Sequence, residues 1–357
     1  MKKLILIVTA LFLFASLKAQ IIEGTIYDAD SKEPLAGVII YLNGTSIYTS
    51  SDSNGYFRLV VKDKINTSLI FSLLSYESLI IENPFESRVK SFFLKEKPID
   101  LTEAVIIADG FSRAQKMKAF KEQFLGDGRE GKSCSILNED DIVLKYDPIE
   151  NRMTAFSMNP LIIKNDYLAY LITFDLHSFS IQYSTYTLNK TYIEQLFYMG
   201  TSSFVDENPF NLKIAKRREE KHTQSRQYFW KNLASNTLEG ADIIIYNNRK
   251  PIEADQYFNI TDTLNYSLIH IKPETDLNRT RNNIVDPKVY GIITVIYDYK
   301  LSSEVVFMTD RIHIDKFGNI DAIDKIYFSG AMGKQRVGDM LPLNYTQAGI
   351  NKMPANQ

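Results

Sequence analysis

Cysteine and histidine, the residues most often used for metal and nucleophilic chemistry, are scarce in this sequence. Its 357 residues include a single cysteine, Cys134, which excludes an internal disulfide, a cysteine-rich zinc site and a cysteine-ligated cluster. The four histidines lie far apart along the chain, at His177, His222, His270 and His313. No His-x-x-Glu or His-Glu-x-x-His pair occurs, so the sequence contains no zinc-binding motif of a peptidase.

An excess of positive charge is also missing. Lys and Arg together number 41 and Asp and Glu 43, and Lys2, Lys3 and Lys18 lie in a leader that we expect to be removed. The mature chain is therefore more acidic than these totals, whereas proteins that bind nucleic acids are usually basic. We expect no nucleic-acid partner.

Long hydrophobic runs are missing as well. The run Leu4–Ala15 has 12 residues, whereas a helix that crosses a bilayer needs about 20. Two lysines precede the run and Ala19 follows it, which is typical of a secretory signal peptide cleaved after Ala19; an uncleaved anchor is the alternative. No cysteine follows the run, so we do not expect a lipoprotein. Residues 1–19 thus predict export to the periplasm, the outer membrane or the cell surface.

Short segments in which apolar residues occupy every second position fill residues 20–97. Phe57, Leu59 and Val61 form one such row. Turn sequences such as Asn43-Gly44 separate the segments. Short alternating strands at this spacing predict an all-β sandwich or barrel.

Three segments of this region resemble a known family, the carboxypeptidase-regulatory-like domain. They are Gly24-Thr-Ile-Tyr-Asp28, Glu33-Pro-Leu-Ala-Gly-Val38 and Thr49–Phe57. The resemblance implies a transthyretin-like sandwich of about seven strands over residues 20–97. In carboxypeptidases that carry such a domain, the zinc and the catalytic acid belong to a different domain. The resemblance therefore implies an accessory or docking module.

The rest of the chain is similar to the second region of secreted Bacteroidetes proteins that carry this domain. That resemblance has no assigned activity, and it supplies no catalytic residue, cofactor or metal ligand. The segments that carry it are Phe124-Leu-Gly126, Cys134–Asn138, Asn159–Tyr170, Tyr228–Ala234 and Gly338–Tyr345.

A second, larger domain is predicted over residues 115–357, after a linker at residues 98–114. Ser112 can cap an amphipathic helix that ends at Leu125, and a segment without glycine or proline predicts the longest helix near residues 215–238. The fold class is therefore mainly β with minor α, a seven-stranded sandwich followed by a β-rich α+β domain. The predicted strands of the second domain are Ile142–Tyr146, Met153–Phe156, Leu168–Leu176, Phe179–Thr187, Asp242–Tyr246, Tyr266–Ile271, Gly291–Tyr299, Val305–Ile314 and Ala322–Phe328.

A positive stripe on the long predicted helix is the candidate site. The segment Lys213–Lys231 contains seven basic residues and two acidic ones. Arg217, Arg218, Lys221 and Arg226 are predicted to contact an anionic envelope polymer or a lipid head group at the membrane surface. The alternative is a solvated helix face whose side-chain stems pack over a sheet.

Nothing in the sequence predicts a catalytic residue, a cofactor site or a metal site. The leading hypothesis is therefore a non-enzymatic binding or accessory protein of the cell envelope, whose partner is an envelope protein, a peptide or a glycan. Two alternatives remain, an envelope hydrolase with a site assembled from distant residues and a small outer-membrane barrel component. Convergence of two or more of His177, His270, His313 and Cys134 with a carboxylate would favour the hydrolase.

Overall fold

The computed structural model describes residues 20–97, 109–263, 266–272 and 289–346. The predicted signal peptide at residues 1–19 and most of the predicted linker at residues 98–114 lie outside these ranges. Export and cleavage after Ala19 therefore stay predictions.

The described chain forms two compact units. Unit 1 holds residues 20–43 and 47–97, and unit 2 holds residues 44–46 together with those from 109 onwards. In neither unit is any described helix long and apolar enough to cross a membrane.

Unit 1 is a sandwich of two β-sheets. Its strands are β1 (Gln20–Asp28), β2 (Ile39–Leu42), β3 (Tyr48–Ser50), β4 (Tyr56–Val61), β5 (Leu69–Ser72), β6 (Leu79–Ile81) and β7 (Ser91–Leu94). One sheet has the order β4-β1-β7, in which β1 pairs with β4 antiparallel and with β7 parallel. The other sheet has the order β3-β2-β5-β6. The predicted seven-stranded sandwich is confirmed.

Alternating side chains fill the space between the two sheets. In β4, Phe57, Leu59 and Val61 are buried and the residues between them are exposed. Phe71 of β5 faces this row, and its ring meets that of Phe57 edge to face with the centroids 5.4 Å apart. Burial of these apolar side chains is the main force that holds the sheets together.

The carboxylate of Asp28 fixes the loop that follows β1. It accepts hydrogen bonds from the backbone N–H groups of Asp30 at 2.9 Å and Ser31 at 2.7 Å, and from the phenol of Tyr76 at 2.9 Å. The bond from Ser31, followed by that from Tyr76, lowers the pKa of Asp28 to about 2. Asp28 therefore stabilises a loop, and both of its carboxylate oxygens accept hydrogen bonds from unit 1.

The first half of unit 2 packs helices on a six-stranded sheet. The helices are α1 (Arg113–Phe124) and α2 (Arg129–Lys132). The strands are β8 (Cys134–Ile136), β9 (Ile142–Asp147), β10 (Arg152–Ser157), β11 (Leu161–Asn165), β12 (Tyr170–Tyr183) and β13 (Ile193–Asp206). The strand order is β8-β11-β12-β10-β9, and β11 and β10 pair with the two ends of the same side of the long strand β12. Strand β13 pairs with the other side of β12. Strand β13 is an edge of the sheet over residues 193–200, which pair with β12 alone among the described strands. Further along, Ser203 forms a parallel bridge with Thr45.

Helix α1 begins where the sequence predicts. The hydroxyl of Ser112 accepts a hydrogen bond from the backbone N–H of Gln115, and the side chain of Gln115 accepts one from the backbone N–H of Ser112. Phe120 and Phe124 of α1 are fully buried against the sheet, where the ring of Phe120 lies 4.8 Å from that of Phe179. The helix thus covers one face of the sheet.

The second half of unit 2 has two further sheets and four helices. The helices are α3 (Leu212–Thr223), α4 (Arg226–Ala234), α5 (Ala254–Tyr257) and α6 (Gly330–Gly333). The strands are β14 (Ile243–Asn247), β15 (Lys250–Ile252), β16 (Phe258–Asp262), β17 (Ser267–Ile271), β18 (Gly291–Tyr297), β19 (Leu301–Phe307), β20 (Arg311–Ile314) and β21 (Ile326–Phe328). Their sheet orders are β15-β14-β18-β19-β21 and β16-β17-β20. Phe229, Trp230 and Leu233 of α4 are buried in the core between them.

The single helix predicted near residues 215–238 is two helices in the structure. Helix α3 ends at Thr223, and the hydroxyl of Ser225 accepts a hydrogen bond from the backbone N–H of Tyr228 at 3.0 Å as the N-cap of α4. A serine side chain competes with the helix backbone for hydrogen bonds, so it favours the start of a new helix over continuation. The break lets α3 pack on the first half of unit 2 and α4 on the second.

Several strands of unit 2 differ from the prediction, and β8, β11, β15 and β16 are not among the predicted strands. The segments predicted as Leu168–Leu176 and Phe179–Thr187 form the single strand β12, which has an irregularity between Leu176 and Ser178. The segment predicted as Val305–Ile314 divides into β19 and β20. Strand β13 was not predicted, because its sequence does not alternate cleanly between apolar and polar residues.

Candidate functional site

A groove in unit 2 is the candidate functional site. Its volume is about 740 Å³, and it lies between the end of α1, the edge strand β13, the turn between β18 and β19, and the segment that follows α6. It contains no histidine, no cysteine and no aromatic residue. Its lining residues are Glu122, Gln123, Gly126, Asp127, Gly128, Lys190, Ile193, Leu196, Lys221, Gln224, Lys300, Leu301, Ser302, Gly330, Ala331, Lys334, Gln335, Arg336 and Asp339.

A neighbouring cavity beside α1, of about 860 Å³, shares four residues with the groove, among them Asp127 and Lys190. Five basic and four acidic residues line it, and ion pairs join Lys118 to Glu122 and Lys121 to Glu139. A smaller cavity of about 250 Å³ in unit 1 is lined mostly by apolar side chains. The groove therefore has the least balanced charge of the three.

Positive charge is in surplus in the groove. Five basic side chains line it, against three acidic ones. The ammonium of Lys190 lies 2.5 Å from the Asp127 carboxylate, and that of Lys300 lies 2.9 Å from Asp298. Lys334, in contrast, forms no ion pair with any described residue. A ligand with a negative charge would find free cationic groups here.

Arg336 projects a guanidinium that is only partly satisfied by the protein. Its Nη1 donates to the carbonyl oxygens of Gly333 at 2.9 Å and Gln335 at 3.0 Å. Its Nε and Nη2 have no acceptor among the described residues. Three N–H donors of Arg336 are therefore available to a ligand or to water.

A cluster of hydrogen-bond donors with few acceptors surrounds Arg226. The Arg226 guanidinium lies 5.2 Å from the centre of the Phe328 ring and makes no hydrogen bond or ion pair with any described residue. Burial lowers the pKa of Arg226; the phenol of Tyr198 raises it, and the charge of Arg336 lowers it further. The nearby phenol of Tyr297 is also buried without a hydrogen-bond partner. We call Arg226, Arg336, Tyr198 and Tyr297 the donor cluster.

Two of the predicted anion contacts, Arg217 and Arg218, form hydrogen bonds within unit 2. Arg218 is 5% exposed, and its guanidinium donates to both carboxylate oxygens of Asp206, at 2.6 and 2.8 Å. It also donates to the carbonyls of Leu168 at 2.7 Å and Ala169 at 3.0 Å. Arg217 donates to a backbone carbonyl at 3.1 Å. These bonds hold α3 to the turn between β11 and β12.

Lys221 lines the groove, but acidic residues of unit 2 already surround it. Its ammonium lies 2.9 Å from the Glu130 carboxylate and 3.2 Å from that of Asp339. Burial lowers the pKa of Lys221, but the hydrogen bond to Glu130 and the charge of Asp339 outweigh burial and raise it. Lys221 therefore carries its charge at neutral pH and shares it with two carboxylates.

The four predicted contacts thus do not form one stripe. Arg217 and Arg218 bind the β11–β12 turn, Lys221 bridges two carboxylates at the groove, and Arg226 belongs to the donor cluster. Contact with an anionic ligand stays a prediction for them, and Arg226 is the one with spare donors. Sequence reasoning missed Arg336, because it follows a short helix with no periodic pattern.

The thiol of Cys134 is half-buried beside the core of unit 2. Burial raises its pKa to about 12, and the charge of Asp339 acts in the same direction. The sulfur lies 3.3 Å from the carbonyl oxygen of Glu130 and donates a weak hydrogen bond to it. A thiol that stays protonated at neutral pH is a poor nucleophile, so the structure favours a packing role.

Two histidines lie near each other on an open sheet. The Nδ1 of His313, on β20, lies 2.6 Å from a carboxylate oxygen of Asp321. His270 is on the adjacent strand β17, where it pairs with Arg311. No described hydroxyl or thiol bonds to the second ring nitrogen of His313. The described residues contain no group of three or more His, Cys, Asp or Glu that could hold a metal ion.

His177 lies in a different part of unit 2. Its Nε2 is 3.6 Å from a carboxylate oxygen of Asp175, and it lines a cavity of about 450 Å³ on the outer face of the six-stranded sheet. No other histidine and no cysteine lines this cavity. His177, His270, His313 and Cys134 therefore do not converge on one cavity.

His222 is buried between two aromatic rings at the end of α3. It is 1% exposed, and its ring centre lies 5.3 Å from that of Tyr228 and 5.0 Å from that of Tyr345. Neither ring nitrogen has a hydrogen-bond partner among the residues that the structure describes. Burial, with a smaller effect of the Lys231 charge, lowers the pKa of His222 to about 4.

His222 should make the stability of the protein depend on pH. Its pKa is lower in the folded than in the unfolded chain, so the unfolded chain binds more protons and stability falls as the pH falls from 6.5 to 4. Between pH 7 and pH 5 we expect this residue to remove about 2 kcal/mol of the free energy of unfolding. His222→Phe should abolish that part of the slope in urea titrations, whereas the surface change His177→Gln should keep it. An unchanged slope in His222→Phe would show that other groups cause it.

The fold of unit 1 defines its class, a small two-sheet β-sandwich with seven strands. Residues 22–106 match the family model of the CarboxypepD_reg-like domain, so the chain carries a carboxypeptidase D regulatory-like domain there. This confirms the resemblance in the sequence. The family is a regulatory-like domain and not a catalytic peptidase domain. No curated protein matches the sequence closely enough to count as a relative.

Proposed function

We propose that this protein is a non-enzymatic binding or accessory protein of the cell envelope, and that the groove of unit 2 holds its partner. The observation that carries the proposal is the groove itself. Cationic side chains with spare donors line it, and it contains neither histidine nor cysteine. Such a site is suited to holding an anionic group and has no obvious nucleophile or proton-transfer pair.

The proposed location rests on the leader. A short apolar run after Lys2 and Lys3, followed by Ala19, would direct the chain out of the cytoplasm. The regulatory-like domain then serves as a docking module at the periplasmic or outer surface of the envelope. A partner in that compartment would be an envelope protein, a peptide or a glycan.

Site-specific photo-cross-linking tests the binding role. We would replace Ala331, which lines the groove, with p-benzoylphenylalanine in the full-length protein and irradiate the cells that produce it. Ile149, which is 92% exposed and lies outside the groove, is the matched control position. We expect one defined adduct from position 331 and none from position 149. Equal labelling at both positions, or none at position 331, would contradict a partner in the groove.

An envelope hydrolase is the second candidate, and the pair of His313 and Asp321 is the observation that favours it. A histidine oriented by a carboxylate is one part of a hydrolytic triad. The test is reaction of the purified protein with a fluorophosphonate probe, together with metal analysis. Probe labelling that disappears in His313→Ala, or one bound zinc per chain, would support the hydrolase. We expect neither.

A further inference from the structure

We propose that the groove binds an extended peptide segment of the partner, which pairs with the edge of β13 and places a carboxylate on Arg226 and Arg336. This rests on the proposed function, because it specifies the chemistry of the partner that the groove would hold. Two independent features support it, the donor cluster and the open strand edge.

Several N–H and O–H donors of the donor cluster have no acceptor among the described residues. A buried guanidinium is normally paired with a carboxylate or with several carbonyl oxygens, because an unpaired buried charge is costly. Arg226 is half-buried and has neither among the described residues. It does not line the groove itself, but the charge of Arg336, which does, acts on it. The buried phenol of Tyr297 adds a donor that has no hydrogen-bond partner among the described residues. A planar carboxylate can accept from two guanidinium groups at once.

The acidic residues of the groove favour an anion of low charge, such as a carboxylate, over a phosphate. Glu122, Asp127 and Asp339 also line the groove, so the five basic residues exceed the acidic ones by only two. A phosphate group with nearly two negative charges would be repelled by these carboxylates. One carboxylate carries about half that charge, so the same acidic residues would repel it less.

The open edge of β13 favours a peptide over a sugar chain. Ile193 and Leu196 of β13 line the groove, and residues 193–200 pair with β12 alone among the described strands. An edge strand presents alternate backbone N–H and C=O groups that can pair with a further strand. Sugar rings usually stack on aromatic side chains, and no aromatic residue lines the groove.

This edge has one charged residue, Glu194, but little other protection against pairing. Protein edges are commonly blocked by lysine or proline, and residues 193–200 contain neither. Two apolar side chains of the segment, Phe197 and Met199, are each 53% exposed on the outer face of the sheet. A paired peptide strand would cover part of this apolar surface.

Binding of two matched peptide libraries tests the proposal. The libraries are capped octapeptides of Thr, Val, Ile, Ser and Tyr that differ only in a fixed central Glu or Gln. The purified mature chain should retain the Glu library about tenfold better than the Gln library, because only Glu supplies a charged acceptor. Arg226→Gln and Arg336→Gln should each bring the ratio close to one. Lys250→Gln, which removes the same charge outside the groove, should leave the ratio unchanged.

Two further measurements separate ligand binding from a structural role. Arg226→Gln should leave the melting temperature unchanged or raise it, because Arg226 has no hydrogen-bond or ion-pair partner to lose among the described residues. Bound Glu peptides should slow amide hydrogen exchange in residues 193–200. A lower melting temperature, or unchanged exchange in a saturated complex, would overturn the proposed contacts.

The remaining outcomes are also decisive. A Glu-to-Gln ratio near one in the unmodified protein, or a preference that survives both arginine variants, would overturn the proposal. Stronger retention of an oligogalacturonate than of the Glu library would identify a glycan in place of a peptide. If the ratio is near one but position 331 still captures one partner, the proposed function stands and this inference fails.

Discussion

Replacing Arg218 with methionine should lower the free energy of unfolding by about 3 kcal/mol. The change removes four hydrogen bonds, two to the carboxylate of Asp206 and one each to the carbonyls of Leu168 and Ala169. It also removes the guanidinium from the face of the Tyr170 ring, where the distance to the ring centre is 3.9 Å. The acceptors would remain partly buried without donors. Urea denaturation followed by circular dichroism measures the loss.

Arg217→Met is the matched control for that experiment. Its guanidinium makes one hydrogen bond, to the backbone carbonyl of Tyr167. It also lies 4.5 Å from the centre of the Tyr167 side-chain ring. We expect it to cost less than about 1 kcal/mol. If both variants kept full stability and instead lost retention on an anionic matrix, the two arginines would be ligand contacts, as the sequence predicts.

Replacing Gly338 with alanine should destabilise unit 2 by about 2 to 3 kcal/mol. The added Cβ would lie 2.5 Å from the carbonyl oxygen of Leu125 and 2.8 Å from the Cα of Gly131. These are backbone atoms, which cannot rotate away as a side chain can. The carbonyl of Gly338 also accepts a hydrogen bond from the Asn165 amide at 3.0 Å, so a shift would disturb a buried contact.

Gly240→Ala is the control, because no atom lies within 4 Å of the Cβ that it would add. It should leave the free energy of unfolding nearly unchanged. Thermal unfolding of both variants measures the difference. Equal melting temperatures would show that the junction between Gly338, Leu125 and Gly131 relaxes easily.

The Gly338 junction is also relevant to the groove. Asp339 follows directly and Arg336 precedes by two positions, and both line the groove. The backbone N–H of Gly338 donates to the carbonyl of Leu125 at 3.0 Å, which fixes this segment on the loop after α1. Arg336 is therefore positioned by close backbone packing between segments more than 200 residues apart in the sequence.

Local sequence patterns were sufficient to predict unit 1. Alternation at Phe57, Leu59 and Val61 reports directly which face of a strand is buried, because strand side chains point to opposite faces in turn. Ser112 likewise predicts the start of α1, since the capping box uses residues three positions apart. Such signals depend only on near neighbours in the chain.

The same reasoning was insufficient where the decisive contacts are distant. Ser225 begins a new helix in a segment without glycine or proline, and the sequence alone does not distinguish this cap from a serine on a helix surface. The partner of Arg218 is Asp206, in a strand that was not predicted. A basic residue in a helix can face solvent or a buried carboxylate, and only the packing decides which.

The groove was the least predictable feature for a related reason. It combines side chains from residues 122–128, 190–196, 221–224, 300–302 and 330–339. No spacing in the sequence indicates that these five segments meet. Arg226 was singled out for its charge, but its lack of an acceptor is a property of the folded chain alone.

The most direct test of a partner held by the groove combines the photo-cross-linker with the donor cluster. The measurement is the yield of the adduct from p-benzoylphenylalanine at position 331, with and without Arg226→Gln and Arg336→Gln together. We predict that the double replacement lowers the yield about tenfold, with the amount of folded protein unchanged. An undiminished yield from the folded double variant would contradict recruitment of a partner by these two arginines.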